Sequence, residues 1–204
     1  MKLTTKQFAM VCIVIVLITI VITGRSVSAK EQDSSGFLDF SGQSQSKDLY
    51  TNLDGEWDFF EKELLTPDEV EVRLRNGMGK GVTLPDSFQA QTGDINSFGT
   101  YSTTIKIPDA YVGKALAIHI PFQYSAYTLY VDQSEVASNG IVGEDSSTHA
   151  AVMSPRIGYF FAQSNEMLLT IQVSSFEHIR GGFENSIYFG EAATVSRKFN
   201  TNII

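Results

Sequence analysis

Short runs in which apolar and polar residues alternate strictly recur through the chain, and this constrains the fold more than anything else. Tyr101, Thr103, Ile105 and Ile107 alternate with Ser102, Thr104 and Lys106, ending at Pro108. Leu116, Ile118 and Ile120 alternate with Ala117 and His119, ending at Pro121. Tyr127, Leu129 and Val131 alternate with Thr128, Tyr130 and Asp132, and Met167, Leu169, Ile171 and Val173 with Leu168, Thr170, Gln172 and Ser174. Ile187 and Phe189 close the series before Gly190. Side chains of a strand point to opposite faces in turn, so each run presents one apolar face to a core. Repeated between Gly, Pro, Asn and Asp punctuation, such runs predict an all-β fold, an antiparallel sandwich of sheets packed face to face.

One short helix interrupts the pattern. Thr66-Pro67-Asp68-Glu69 supplies an N-cap, a proline at the first helical position and a glutamate at the third. Val70 and Leu74 would share its buried face and Asn76-Gly77 would end it; Val70 to Leu74 also alternates as a strand would.

The first thirty residues obey another rule. Lys2 and Lys6 precede an apolar run from Phe8 to Ile22, interrupted by Thr19 alone. Fifteen helical residues span about 22 Å, short of the roughly 30 Å of a bilayer's hydrocarbon core. Val27-Ser28-Ala29 places small residues where a signal peptidase cuts. Residues 1–29 are therefore a signal peptide or a retained signal anchor, and in both readings the remainder is exported. Residues 30–47, rich in Ser, Gln and Gly, read as a flexible spacer before a domain over 48–195, with 196–204 as a tail.

Composition then removes whole classes of function. Residues 1–29 hold three of the 15 basic residues and none of the 23 acidic ones, so the exported part carries a net charge of −11. That argues against a nucleic-acid partner. The single cysteine, Cys12, lies in the apolar run, which leaves neither disulfide nor thiol nucleophile outside it. There is no Gly-x-Ser-x-Gly, His-Glu-x-x-His, phosphate loop or dinucleotide fingerprint, and no cofactor or metal is implied. His119, His149 and His178 lack metal-ligand spacing, and His119 falls on the outward face of its strand. Asp94 to Gly99 has oxygen ligands two apart but no terminal Glu, so it reads as a solvated turn. The chain is expected not to be an enzyme.

Two loops differ from ordinary connectors. Residues 138–149 are long, polar and acidic, and include Glu144 and His149. Residues 175–185 mix Glu177, His178 and Arg180 with aromatics and the pair Gly181-Gly182. With Tyr124 these form the candidate ligand-binding set, because aromatic faces beside carboxylate and guanidinium groups suit sugar rings. The plainer reading makes Gly181-Gly182 a bulge or turn and Glu177 with Arg180 a surface ion pair.

Leu53 to Phe59 (LDGEWDF), Leu84 to Phe88 (LPDSF) and Gly99-Thr100-Tyr101 resemble the opening of the galactose-binding-like jelly roll of family-two β-galactosidases. Leu116 to Val131 (LAIHIPFQYSAYTLYV), Ser138 to Gly143 (SNGIVG) and Ile171 to Gly190 (IQVSSFEHIRGGFENSIYFG) resemble the exported sensor domain of bacterial seven-transmembrane receptors with diverse intracellular signalling modules. The resemblance covers about residues 49–195. It implies a galactose-binding-like fold, a carbohydrate or small polar ligand, and a downstream seven-helix region whose junction would begin near Arg197 to Ile204. It also implies a non-catalytic sensor at the outer face of the cytoplasmic membrane, with the membrane itself a partner if the N-terminal helix is retained. A free-standing carbohydrate-binding or adhesion module, secreted or membrane-anchored, and a non-catalytic relative of a family-two glycosidase, are the other readings. Val131-Asp132-Gln133-Ser134 departs from the family in lacking the usual hairpin glycine, and Ser102 replaces an arginine. Trp57, the one tryptophan, is expected in the core, and Tyr124 and Tyr127 at a sheet edge.

Overall fold

The structure, a computed structural model, describes residues 36–43 and 48–201, so the segment read as signal peptide or anchor lies outside the described residues. Among the described residues no helix is long and apolar enough to cross a membrane. The elements run β1 (Phe37–Asp39), β2 (Tyr50–Asn52), β3 (Gly55–Glu61), α1 (Pro67–Arg75), β4 (Lys80–Leu84), β5 (Asp86–Ser87), α2 (Phe88–Thr92) and β6 (Ser97–Lys106). After a 3-10 turn at Asp109–Tyr111 come β7 (Ala115–Ile120), β8 (Ala126–Val131), β9 (Ser134–Asn139), β10 (Arg156–Phe161), β11 (Glu166–Ser175), β12 (Gly182–Phe183), β13 (Tyr188–Glu191) and α3 (Ala192–Thr201).

The described strands form a large sheet in the order β4-β3-β6-β11-β8-β9, a smaller one in the order β10-β7-β13-β2, and a short β12-β5 ribbon. Pairing is antiparallel throughout, except that β1 runs parallel to β6. The alternating faces of both larger sheets meet in one core. Tyr101, Ile105, Leu169, Ile171, Val173 and Leu129 come from the large sheet, and Leu116, Ile118, Ile120 and Phe189 from the small one. The all-β sandwich expected from the alternation is thus the fold. Trp57 is fully buried, and its indole N–H donates to the Leu53 carbonyl at 3.1 Å.

Several expectations need correction. Tyr127 lies at the centre of the core rather than at a sheet edge, edge-on to Phe183. The polar partners in the long strands do not face solvent: Thr100, Ser102, Thr170 and Ser174 are all buried on the outer side of the large sheet. That side is covered by chain. α1 lays Val70 and Leu74 against Phe60, Leu65 and Leu168, and the Glu69 carboxylate accepts the Thr66 N–H and O–H at 2.9 and 2.8 Å. The helical reading of 70–74 holds because this cap outweighs the short alternation.

α1 is also not alone. Ser87 caps α2 by accepting the Ala90 N–H at 3.2 Å, and Gly93, at φ 79°, ends it. α3 carries the chain through the boundary placed at 195. Val195 is buried, Phe199 meets His119 edge-on at 4.9 Å, and Asp48 accepts from Thr194 and Arg197 at 3.0 Å each. His119 is therefore half-buried beneath α3 and not on a free face, and desolvation holds its pKa below the ordinary histidine value. The hairpin without its glycine is turned by Asp132, which adopts φ 50° and accepts the Leu168 N–H at 2.9 Å.

Part of the expected spacer is structural. Phe37–Asp39 pairs with Thr104 to Lys106, and the Gly36 N–H donates to the buried Asp58 carboxylate at 2.7 Å. Only glycine fits at 36, since a Cβ there would lie 2.7 Å from the Trp57 Cα. Residues 30–35 and 44–47 lie outside the described residues.

Two predictions follow from this core. Trp57→Phe keeps an apolar ring but strands the buried Leu53 carbonyl, and should cost about 1–3 kcal/mol in urea unfolding. Burial pushes the Asp58 carboxyl above its ordinary value, the Gly36 hydrogen bond opposing this only in part. A carboxyl raised on folding adds stability at low pH that is lost as pH rises through its folded value. The melting temperature of Asp58→Asn relative to wild type should therefore climb as pH is raised through the carboxylate range.

Candidate functional site

The strand ends at Ser97, Ala126, Asn139 and Ser175 share one end of the large sheet, and this brings the loops at 121–125, 140–155 and 176–187 together. The first singled-out loop closes on itself. Ile141 and Ala150 exchange backbone hydrogen bonds of 2.8 and 3.0 Å, and the Asp145 carboxylate accepts from the Ser147 hydroxyl and from the Ser147 and Thr148 amides. These bonds, the Ser147 hydroxyl foremost, hold the Asp145 carboxyl below its usual pKa.

His149 is turned inward. It is 6% exposed, its Nδ1 lies 2.8 Å from the Ser174 hydroxyl, and its ring meets Phe176 edge-on at 5.5 Å. Ser174 Oγ also accepts the Gly143 N–H at 3.1 Å, so one hydroxyl ties both Gly143 and His149 to the sheet. Burial pushes the imidazole below its ordinary pKa, and Glu177 partly offsets this. His149 thus packs the loop onto the sheet, with the exposed Glu177 close enough to act on its charge; Glu144 is exposed as well.

The second loop builds a surface platform in which Arg180 is exposed and His178 and Glu184 are half-buried. His178 stacks on Tyr124 with ring centroids 4.2 Å apart and planes 16° from parallel. The Arg180 guanidinium lies 4.7 Å from the Tyr124 ring centre, donates to its hydroxyl at 3.2 Å and pairs with Glu184 at 2.7 Å. Arg180 thus takes Glu184, not Glu177, as its ion-pair partner. Phe122, 45% exposed, meets Tyr124 edge-on at 5.7 Å. Of the six residues singled out in the sequence, the structure unites Tyr124, His178 and Arg180, sets His149 and Glu177 together nearby, and leaves Glu144 in neither group. Phe122 and Glu184 belong to the platform and were missed.

A groove of about 340 Å³ lies elsewhere, between α1 and the outer side of β6 and β11, lined by Glu71, Leu74, Arg75, Thr104, Glu166 and Leu168. At about 3.3 Å per residue, β11 alone runs roughly 23 Å from Leu168 to the sheet end at Ser175 that leads to the platform. The groove holds none of the six residues, and no aromatic ring lines it. Among the described residues no three His, Cys, Asp or Glu side chains are placed to hold a metal ion. Asp94 turns its loop by accepting the Asn96 N–H at 2.9 Å.

No family model and no curated protein matches the chain. Similar solved structures include the GH2 β-galacturonidase of Eisenbergiella tayi bound to galacturonate, at 12% identity over 71% of this chain and 24% of that one, with a TM-score of 0.49. A Ruminococcus gnavus β-glucuronidase in complex with D-glucuronic acid matches at 15% identity over 72% of this chain and 30% of that one, and an uncultured Clostridium β-glucuronidase at 13% over 74% and 30%, both with TM-score 0.49. The chain thus spans between 24% and 30% of the length of these enzymes.

His149 supplies the prediction here. An imidazole depressed on folding contributes stability present above its unfolded pKa, near 6.5, and lost as pH falls through its lower folded value. His149→Gln should remove that acid-side loss, seen as a flatter melting temperature between pH 7 and pH 5.

Proposed function

We propose that this chain is the exported, non-catalytic ligand-binding domain of a bacterial membrane signalling receptor, and that it takes a carbohydrate or similar small polar ligand on the Tyr124–His178–Arg180 platform. One observation carries the reading: an aromatic pair, a guanidinium and a carboxylate converge at an exposed end of a rigid sandwich. Aromatic faces receive the C–H side of a sugar ring, while the guanidinium and carboxylate bond its hydroxyls. Arg180 Nε and Nη1 are committed to Glu184 and Tyr124, which leaves Nη2 to donate to a ligand oxygen. The export signal and the resemblance of residues 116–190 to receptor sensor domains support the same reading.

Connectivity supports the sensing role. The platform segment is followed by β13 and then by α3, so a ligand touching residues 178–184 holds the chain one strand ahead of that helix. Signalling of this kind requires two arrangements of that segment with different ligand affinity.

Titration of the purified exported domain with a panel of neutral and acidic mono- and oligosaccharides, followed by NMR and calorimetry, tests the reading. At least one sugar should bind saturably, and Tyr124→Ala should weaken that binding on the order of tenfold, about 1.4 kcal/mol. Absence of saturable binding across the panel, or an unchanged affinity in Tyr124→Ala, overturns it.

A further inference from the structure

The platform rests on a set of bonds that resembles strand pairing yet is made by side chains. Gln123 is fully buried, its amide nitrogen donating to the Asn185 carbonyl at 2.8 Å while its amide oxygen accepts the Asn185 N–H at 3.1 Å. Two residues on, the buried Ser125 hydroxyl does the same for Gly182, donating to its carbonyl at 2.8 Å and accepting its N–H at 2.9 Å. The Asn185 side chain returns to the Phe122 carbonyl at 2.7 Å. Five hydrogen bonds thus tie 122–125 to 182–185 without a regular ladder between them.

Alternation decides what this achieves. Gln123 and Ser125 point inward and hold the second segment, and Tyr124 between them points outward beneath His178 and Arg180. The far side of the held segment is secured too, by pairing of Gly182 with Ser87 and by donation of the Phe88 N–H to the Gly181 carbonyl at 2.8 Å. Gly182 is required there: its φ is 110° and a Cβ would lie 2.6 Å from the Phe88 nitrogen. Tyr124 comes from one segment, and His178, Arg180 and Glu184 from the other. The platform geometry is therefore only as well defined as the joint between the segments.

We infer that Gln123 is a positioning residue of the ligand site, pre-organising the platform by locking Asn185 through both backbone groups. The inference rests on the proposed ligand-binding reading, though its geometric part can be measured without a ligand. Pre-organised sites bind more tightly because the ordering cost is met before the ligand arrives. A side chain that only filled space would lack the donor–acceptor specificity that Gln123 carries.

Gln123→Glu separates the two roles. Ionised, the glutamate accepts the Asn185 N–H but has no proton for the Asn185 carbonyl. Protonated, it restores donor and acceptor in nearly the shape of the amide, and burial raises the pH at which it takes the proton. His178, Arg180 and Glu184 are the charged or titratable groups on the platform above, so each measurement is referred to wild type at the same pH. Three readouts apply at pH 8 and pH 5: hydrogen exchange of the Asn185 and Gly182 amides, the ring-current shift of His178 from its stacking on Tyr124, and affinity for any sugar that wild type binds.

At pH 8 the variant should lose at least tenfold in amide protection and in affinity, with the His178 shift moving toward its unstacked value. At pH 5 all three should return to within about threefold of wild type, whereas Gln123→Ala should show no such recovery. Wild-type behaviour of Gln123→Glu at pH 8, or a loss at pH 8 that pH 5 does not repair, overturns the inference, as does loss of protection with an unchanged His178 shift. If wild type binds no sugar while the His178 shift still follows the glutamate's protonation, the functional reading fails and the positioning role stands.

Discussion

Ten residues of β6 pair with ten of β11, from Ser97 opposite Ser175 to Lys106 opposite Glu166, and the rest of the sandwich is attached to that ladder. β3 and β1 share one edge of β6, and β8 takes the other edge of β11. A ladder of this length fixes register rigidly, because a slip by one residue would exchange every inward side chain for an outward one. Inward, it presents Tyr101, Ile105, Leu169, Ile171 and Val173 to the opposing sheet. Outward, it presents Thr100, Ser102, Thr170 and Ser174, which are buried as well, with Thr104 and Gln172 half-buried among them.

That outer file explains how a sheet with two buried faces can avoid being apolar on both. Three polar side chains there hold pieces of covering chain, while the Ser102 hydroxyl donates to the Leu169 carbonyl within the sheet. Thr100 accepts the Leu65 N–H and donates to the Glu63 carbonyl at 2.8 and 2.7 Å, and Gln172 donates to the Leu65 carbonyl at 3.0 Å. Ser174 holds Gly143 and His149. Gln123 and Ser125 repeat the device at the sandwich end. Irregular segments have backbone groups with no strand to bond, and leaving such groups buried and unpaired is costly. Side-chain amides and hydroxyls on a fixed scaffold satisfy them, and so determine where the connecting segments lie.

The same device marks the limit of what could be read from the chain. The core was legible because period-two alternation is a direct record of burial: Ile105, Leu116, Leu129 and Ile171 all lie where the pattern put them. Thr66 and Glu69 were legible because a cap is a local arrangement. Tyr124, His178 and Arg180 were found through their chemistry, although nothing in their spacing showed that they would touch. Gln123 and the Thr100–Gln172 file were missed because a polar residue in an alternating run looks the same whether it faces water or a covering segment 62 or 107 positions away. β1 was missed because its three residues sit in a Ser- and Gln-rich stretch and gain their structure from β6. α3 was missed for the same kind of reason, since the ladder that holds it, Asp48 to Thr194 and Arg197, spans almost the whole domain.

The parallel pairing of β1 has a mechanical consequence. A pull at Gly36 directed along the strand loads the β1–β6 bonds together, in shear, instead of peeling them apart one after another. The buried bond from Gly36 to Asp58 takes up the same load, and Asp58 belongs to β3, the strand that also carries Trp57. Tension entering at that point thus bears on β6 and β3, the strands that carry Tyr101 and Trp57 into the core. Three residues of strand make the attachment short, but its direction makes it stiff.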